Sequence, residues 1–146
     1  MNIGQISSRT LVSKPVGTTL SEIAKLMHDR HVGAVVVTKA PLDRPVAVGI
    51  ITDRDIVRAQ LARGADLTSL PVEEFMTRNP LVLNEEDSVE DAIRRMQARG
   101  VRRAPVVTSG GMLAGLVSTD DLIAQVAREL IGLAQGLWQQ PRKEGT

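Results

Sequence analysis

The chain has 146 residues, 42% of them apolar and 24% charged, which is the composition of a folded globular domain rather than a disordered segment. Lys and Arg total 18 against 17 Asp and Glu, and this net charge of +1 gives no overall field to attract nucleic acid or an anionic membrane. With no cysteine, the sequence excludes disulfides, thiolate nucleophiles and the usual zinc sites.

The first half predicts a strand, a helix, two strands and a second helix, in that order. An extended segment, "TLVSKP", precedes a helix that begins with the capping pair Thr19 and Glu22 and continues with apolar residues at spacings of three and four. Two β-branched runs follow, "GAVVV" and "PVAVGII", joined by the turn residues "TKAPLDR". The segment "DRDIVRAQLAR" predicts the closing helix.

The second half repeats this order. It contains the extended segment "PLVLNE", a helix that begins at Ser88 and Asp91, the strands "APVV" and "LAGLV", and a long closing helix. The first helices align with an offset of 69 residues and the closing helices with an offset of 66. The difference between these two offsets falls in the turn between the two strands, where insertions are tolerated. We therefore predict two copies of one unit.

One such unit is too small to bury both faces of its sheet. We therefore predict an α/β (α+β) fold in which two β-α-β-β-α repeats pack with pseudo-twofold symmetry. Residues 1–64 form the first repeat, 65–71 a linker, 72–130 the second repeat, and 131–146 a helix extension followed by a loose tail.

The two copies share one motif: a glycine, two apolar residues, a hydroxyl residue, two variable residues, an aspartate and an apolar residue. It reads "GIITDRDI" at 49–56 and "GLVSTDDL" at 115–122. Together with "FMTRNPLVL" and "GVRRAPVV" in the second copy, it resembles the cystathionine β-synthase (CBS) domain, present here as a tandem pair or Bateman module. The resemblance implies a regulatory module that requires no cofactor and binds AMP, ADP, ATP, S-adenosylmethionine or an NAD-type dinucleotide between its repeats. It also implies a disc-shaped homodimer.

The motif also has a physical interpretation. A strand that ends in Thr52 or Ser118 and turns directly into a helix should leave a hydroxyl and free N–H groups at the positive end of the helix, which suits a phosphate or ribose oxygen. Asp55 and Asp121, one turn further on, suit the two hydroxyls of a ribose. The alternative is that both pairs are ordinary helix caps, with no ligand.

Other candidate residues flank the motifs. Arg102 and Arg103 either bind phosphate or are surface charges, and Val82 and Val101 are placed to sandwich a base. The complete candidate ligand-binding set is Thr52, Arg54, Asp55, Thr77, Val82, Val101, Arg102, Arg103, Pro105, Ser118, Thr119 and Asp121.

The two copies differ at the start of their second strand. Gly33 and Ala34 stand where the second copy has Arg102 and Arg103, so the first copy lacks both cations. We therefore favour the cleft that carries Asp121.

Neither catalysis nor a metal site is expected. The chain has no Ser-His-Asp arrangement with a nucleophile turn, no P-loop and no dinucleotide fingerprint. His28 and His31 lie three residues apart without a third ligand nearby, which indicates solvent-facing residues at a helix end.

The last helix continues beyond the length of its counterpart. Its apolar residues recur at spacings of three or four, at Ile123, Val126, Leu130, Ala134 and Leu137, and Trp138 lies at its end. This stripe predicts a dimer contact, with intramolecular packing as the alternative.

The sequence thus predicts a regulatory module that binds an adenosyl small molecule and signals occupancy through its shape or its affinity for a separate effector protein. The alternative is a ligand-free interaction or dimerisation scaffold. The N-terminus lacks a signal-peptide pattern and the apolar runs are too short for a membrane span. We expect a cytoplasmic homodimer without a membrane or nucleic-acid partner.

Overall fold

The computed structural model describes residues 1–9, 11–41, 43–64 and 66–139, with the side chains of residues 138 and 139 excepted. The predicted side-chain position of Trp138 and the predicted tail from residue 140 onward lie outside this part of the chain. None of the helices within it is long and apolar enough to span a bilayer.

The predicted fold class is confirmed. A short helix, α1 (Ile3–Ile6), precedes a first repeat made of β1 (Ser13–Pro15), α2 (Leu20–Arg30), β2 (Ala34–Lys39), β3 (Val46–Thr52) and α3 (Asp53–Arg63). After two 3-10 turns, Leu67–Ser69 and Val72–Glu74, the second repeat contains β4 (Thr77–Arg78), β5 (Leu83–Asn84), α4 (Val89–Arg99), β6 (Arg103–Val107), β7 (Leu113–Ser118) and α5 (Thr119–Gln139).

Both repeats build their sheet in the same way. In the first, β1 is parallel to β2, and β2 forms an antiparallel hairpin with β3. In the second, β5 is parallel to β6, and β6 forms an antiparallel hairpin with β7. The helices pack on these sheets through buried apolar residues such as Ile23 in α2 and Met96 in α4, so each repeat has its own core.

The segment that leads into the first repeat packs on the second repeat. The N–H of Ile3 donates to the carbonyl of Asp87 over 2.9 Å, and Ser8 forms a bridge with Leu116 of β7. The side chain of Ile3 is completely buried in the core of the second repeat. Residues 2–8, here called the first lead-in segment, therefore cross to the other half of the molecule.

The second lead-in segment, residues 71–77, makes the reciprocal crossing. The N–H of Val72 donates to the carbonyl of Thr18 over 2.8 Å, and Thr77 of β4 pairs with Ile50 of β3. Val72 is buried in the core of the first repeat. Each contact repeats one made by the first lead-in segment, at the offsets of 69 and 66 found in the sequence. The two repeats are thus related by pseudo-twofold symmetry.

These crossings explain the glycine of the repeated motif. A Cβ atom at Gly115 would lie 2.8 Å from the carbonyl oxygen of Ser8, and one at Gly49 would contact the side chain of Met76 and lie 3.0 Å from the carbonyl of Thr77. Both glycines therefore let a lead-in segment approach the neighbouring strand closely.

Candidate functional site

Both motif aspartates cap their helices. Ser118 N–H donates to Asp121 Oδ2 over 2.9 Å, and Asp121 N–H donates to Ser118 Oγ over 3.2 Å. Thr52 and Asp55 make the same pair of hydrogen bonds, of 2.9 and 3.3 Å. Each aspartate is half-buried, and within the described part of the chain its second oxygen, Oδ1, accepts no hydrogen bond. The cap therefore leaves one carboxylate oxygen available to a ligand.

The expectation of free N–H groups at the helix start was wrong for α3. Asp53 N–H donates to the carbonyl of Gly33 over 3.0 Å, Arg54 N–H donates to Asp53 Oδ1 over 2.8 Å, and Asp55 N–H is used by the cap. At the start of α5, Thr119 N–H likewise donates to the carbonyl of Arg102 over 2.8 Å. Carbonyl groups next to the neighbouring strand of each hairpin and side chains at the helix start thus accept from three N–H groups at the start of α3 and from two at the start of α5.

A cleft of about 210 Å³ lies between the two repeats. We call it the inter-repeat cleft. Its lining residues come from the first lead-in segment, the residue before β1, the two hairpins and the β7–α5 junction: Ser8, Val12, Val32, Gly33, Ala34, Arg103, Leu116, Ser118 and Asp121. Three members of the predicted set, Arg103, Ser118 and Asp121, therefore meet here. The cleft is the one favoured from the sequence.

The polar residues of the inter-repeat cleft have a fixed relation to one another. Arg103 and Ser118 are directly opposite each other on β6 and β7, and Asp121 lies one helical turn after Ser118. The side chain of Arg103 is exposed and has no ion pair with any described residue. The cleft thus combines an acceptor on its wall with a positive charge at its mouth.

A second and larger cavity lies on the other side of this junction. It has a volume of about 760 Å³ and lies between α4 and α5, and we call it the α4/α5 groove. Val101, Arg102 and Thr119, all members of the predicted set, line this groove and not the cleft. The adjacent residues Arg102 and Arg103 therefore line different cavities, the groove and the cleft. The other residues of the groove are Ile93, Met96, Gln97, Gly100, Leu122, Ile123, Val126, Ala127 and Leu130.

The remaining predicted residues lie away from both cavities. Pro105 is buried in β6 opposite Leu116. Val82 is half-buried and its carbonyl accepts a 3.4 Å hydrogen bond from Arg95, and Thr77 is exposed in β4. Thr52, Arg54 and Asp55 mark the β3–α3 junction, the symmetric counterpart of the one that lines the cleft.

Sequence reasoning missed the residues that the first repeat contributes. Val12, Val32 and Ala34 add apolar side chains to the lining of the cleft that contains Asp121. The signal that could have identified Ala34 is the alignment itself, because this residue is the symmetric counterpart of Arg103.

Two carboxyl groups outside the cleft have lowered pKa values. The hydrogen bond from Lys25 over 2.7 Å lowers the pKa of Asp29, and hydrogen bonds from Thr68, chiefly its backbone N–H, lower the pKa of Asp66. Both groups are exposed, so these shifts reflect local pairing and turn capping rather than a binding site.

Comparison with known proteins gives two matches to one family. The family model for the CBS domain matches residues 3–62 and 72–128. A 17.7 kDa protein of Acidianus ambivalens is 36% identical over 143 residues, which cover 97% of this chain and 80% of that one. Other relatives are longer: this chain spans 20% of CBSCBSPB5 from Arabidopsis thaliana, with 32% identity over 114 residues that cover 78% of this chain.

Solved structures show the same fold. The CBS domain pair of protein MJ0100, in complex with 5′-methylthioadenosine and S-adenosyl-L-methionine, superposes with a TM-score of 0.73 at 22% identity, covering 88% of this chain and 98% of that one. The hexameric CBS-CP12 protein from bloom-forming cyanobacteria gives a TM-score of 0.71 at 29% identity, covering 84% of this chain and 66% of that one. The chain belongs to the CBS domain family and carries two copies of the domain as a tandem pair.

Proposed function

We propose that this CBS pair is a regulatory module that binds an adenosyl ligand in the inter-repeat cleft. The observation that supports it best is the meeting of Asp121, Ser118 and Arg103 with apolar residues of the first repeat. An adenine nucleotide needs these three kinds of contact: an apolar slot for the base, an acceptor for the ribose and a cation for the phosphate.

The volume of the cleft favours a particular placement of the ligand. Its volume of about 210 Å³ is below the roughly 300–1,000 Å³ of most small-molecule sites. The base and ribose would therefore fill it, with the base between Val32 and Leu116 and a ribose hydroxyl donating to Asp121 Oδ1. A phosphate or other anionic tail would then extend to the exposed Arg103.

The structural neighbours support the same class of ligand. The CBS pair of MJ0100 holds 5′-methylthioadenosine and S-adenosyl-L-methionine, two molecules that share an adenosyl group. At 22% identity, the CBS pair of MJ0100 resembles this chain in fold alone. It therefore supports an adenosyl ligand as a class and not a particular ligand. AMP, ADP, ATP, S-adenosylmethionine and NAD-type dinucleotides are all candidates.

A route for the signal follows from the arrangement of the two cavities. Arg103 and Ser118 line the cleft, whereas their neighbours Arg102 and Thr119 line the α4/α5 groove and are joined by a 2.8 Å hydrogen bond. A ligand that prefers one arrangement of this junction would change the shape of the groove. The output would then reach a second copy of the chain or a separate effector protein in the cytoplasm, by binding and without catalysis.

The direct test is thermal unfolding of the full chain with AMP, ADP, ATP, S-adenosylmethionine or NADH. A ligand at one hundred times its dissociation constant stabilises the folded state by about 2.7 kcal/mol, which raises Tm by several degrees. Asp121→Ala should abolish the shift. Asp55→Ala is the matched control, because it removes an equivalent capping bond at the other junction and should keep the shift.

Two results would contradict the proposal. If no ligand shifts the Tm of the folded wild type, the ligand-free scaffold becomes the better account. If the shift is lost in Asp55→Ala and retained in Asp121→Ala, the site lies at the β3–α3 junction instead.

A further inference from the structure

Ala34 and Arg103 occupy equivalent positions in the two repeats, 69 residues apart. Both of them line the inter-repeat cleft. Two positions that a pseudo-twofold axis exchanges lie on opposite sides of that axis and at equal distances from it. Because Ala34 and Arg103 lie in one cleft, the axis passes between them and close to both.

The same symmetry places Arg103 beside the β3–α3 junction. Ala34 is directly opposite Thr52 on β2 and β3, just as Arg103 is directly opposite Ser118 on β6 and β7. The cleft has Arg103 on its own hairpin and Ala34 across the axis. The junction that contains Thr52 and Asp55 therefore has Ala34 on its own hairpin and Arg103 across the axis.

The side chain of Arg103 is free to reach either junction. It is exposed and has neither an ion pair nor a hydrogen bond with any described residue. Ala34, its counterpart across the axis, is buried and ends at a methyl group. Within the described part of the chain, no contact fixes the guanidinium of Arg103 at the cleft.

The β3–α3 junction provides a ribose acceptor and apolar side chains. Asp55 Oδ1 accepts no hydrogen bond within the described residues. Ile50 and Leu81 are the counterparts of Leu116 and Val12, two apolar residues of the cleft. The junction therefore has two of the three kinds of contact that an adenine nucleotide needs.

The third contact, a cation, is not supplied by the described residues of the junction itself. Arg54 is exposed in the first turn of α3, and its counterpart Asp120 is not a lining residue of the cleft. Arg102, the counterpart of Gly33, lines the α4/α5 groove. Of the described cations, Arg103 is therefore the one that symmetry places beside both junctions.

One cation beside two ribose acceptors limits which ligands bind together. An anionic tail in the cleft would recruit Arg103, which lies on the same hairpin as Ser118. A second anionic tail, at the β3–α3 junction, would then meet the carboxylate of Asp55 and the first tail without a cation to offset them. An adenosyl ligand without an anionic tail would not have this conflict.

We propose that Arg103 is shared by the two junctions. One chain then binds a single anionic adenosyl ligand, in the inter-repeat cleft, and a second adenosyl ligand without an anionic tail at the β3–α3 junction. The sharing rests on the proposed function, because it requires an adenosyl ligand in the cleft. It makes the pair a receptor that responds to two adenosyl molecules of different charge.

The first test is isothermal titration calorimetry of the full chain with AMP and 5′-methylthioadenosine. The wild type should bind one AMP per chain, with any second AMP about 10- to 100-fold weaker, the effect of a missing charge-assisted hydrogen bond. 5′-Methylthioadenosine, titrated into the AMP-saturated protein, should still bind one molecule per chain. Asp55→Ala should lose this second ligand, whereas Asp121→Ala should lose AMP.

The second test adds the missing cation. Ala34→Arg places an arginine at the position equivalent to Arg103 and should raise the stoichiometry of AMP to two per chain. Ala34→Met is the matched control, because it adds a long side chain without charge and should leave one AMP per chain. Circular dichroism establishes that both variants are folded, and the wild-type titrations test the proposal without either of them.

Two AMP molecules bound with equal affinity by the wild type would overturn the proposal, as would a folded Ala34→Arg variant that binds only one. If AMP binds once and 5′-methylthioadenosine does not bind to the AMP-saturated protein, the sharing is wrong and the proposed function stands. If neither molecule binds, the sharing is also wrong, and the thermal unfolding series decides the proposed function separately.

Discussion

Asp55 and Asp121 occupy the same motif position and make the same two hydrogen bonds, but their surroundings differ. Of the two, only Asp121 lines the inter-repeat cleft, which it shares with Arg103 and with apolar residues of the first repeat. The motif determines the helix cap, and the neighbouring residues determine whether the remaining carboxylate oxygen is useful to a ligand. A cap and a ligand contact are therefore compatible roles of one residue.

Arg103 should discriminate ligands by their charge. We expect Arg103→Ala to weaken AMP binding by about 10- to 100-fold, the effect of losing a charge-assisted hydrogen bond of roughly 1.5–3 kcal/mol. Binding of 5′-methylthioadenosine, which has no phosphate, should change little. Isothermal titration calorimetry measures both affinities, and Arg58→Ala, an exposed arginine of α3, is the control. If Arg103→Ala weakened the binding of both ligands equally, the phosphate would bind away from Arg103.

Some roles of individual residues could be predicted from the sequence, and others could not. Ser118 and Asp121 could be identified because the motif repeats. The division of Arg102 and Arg103 between two cavities could not, because it depends on which cavity each side chain faces at the start of β6. Nor could the loss of free N–H groups at the start of α3, which donate to the carbonyl of Gly33 and to the side chains of Asp53 and Thr52.

At the scale of the elements, the two lead-in segments hold the repeats together. Each crosses to the opposite repeat, where it adds a buried residue to the core and pairs with the last strand of the hairpin. The first one also supplies Ser8 to the cleft. The cleft is therefore formed by the crossing as well as by the repeats themselves.

The close approach of these segments can be tested at the motif glycine. We expect Gly115→Ala to destabilise the protein by about 1–3 kcal/mol, because the new Cβ would meet the backbone carbonyl of Ser8 at 2.8 Å. Gly132→Ala is the contrasting variant: Gly132 lies in α5 with open space around it, and alanine should stabilise the helix by about 0.5–1 kcal/mol. Urea unfolding measures both, and a neutral Gly115→Ala would contradict the packing account.

The helices and hairpins could be predicted from the sequence, whereas the crossings could not. Helix α2 has a local signature in its capping pair and its apolar spacing, and β2 has one in its β-branched run. Strand β4 has only two residues, Thr77 and Arg78, and its pairing with β3 is a long-range contact without any periodic pattern. Such contacts follow from the packing of the whole chain.

At the scale of the whole molecule, the cleft and the groove share one junction. The hydrogen bond between Thr119 and Arg102 joins the two walls of the groove, and the next residues, Ser118 and Arg103, line the cleft. A ligand and a second chain would thus act on opposite sides of the same strand and helix ends. This arrangement predicts that the two binding events are coupled.

Coupling of this kind is reciprocal. If a ligand changes the dimer dissociation constant by a given factor, typically about 5- to 150-fold, dimerisation must change the ligand affinity by the same factor. Sedimentation with and without ligand gives the first factor, and calorimetric titrations at protein concentrations below and above the dimer dissociation constant give the second. Equal dimer dissociation constants with and without ligand would show that the junction does not transmit the signal.

The central claim is that the inter-repeat cleft holds the adenosyl group, and a crystal structure with the ligand that raises Tm most tests it directly. We predict the base between Val32 and Leu116, a ribose hydroxyl within hydrogen-bond distance of Asp121, and any anionic tail beside Arg103. A ligand bound in the α4/α5 groove or at the β3–α3 junction, with the inter-repeat cleft unoccupied, would contradict the account.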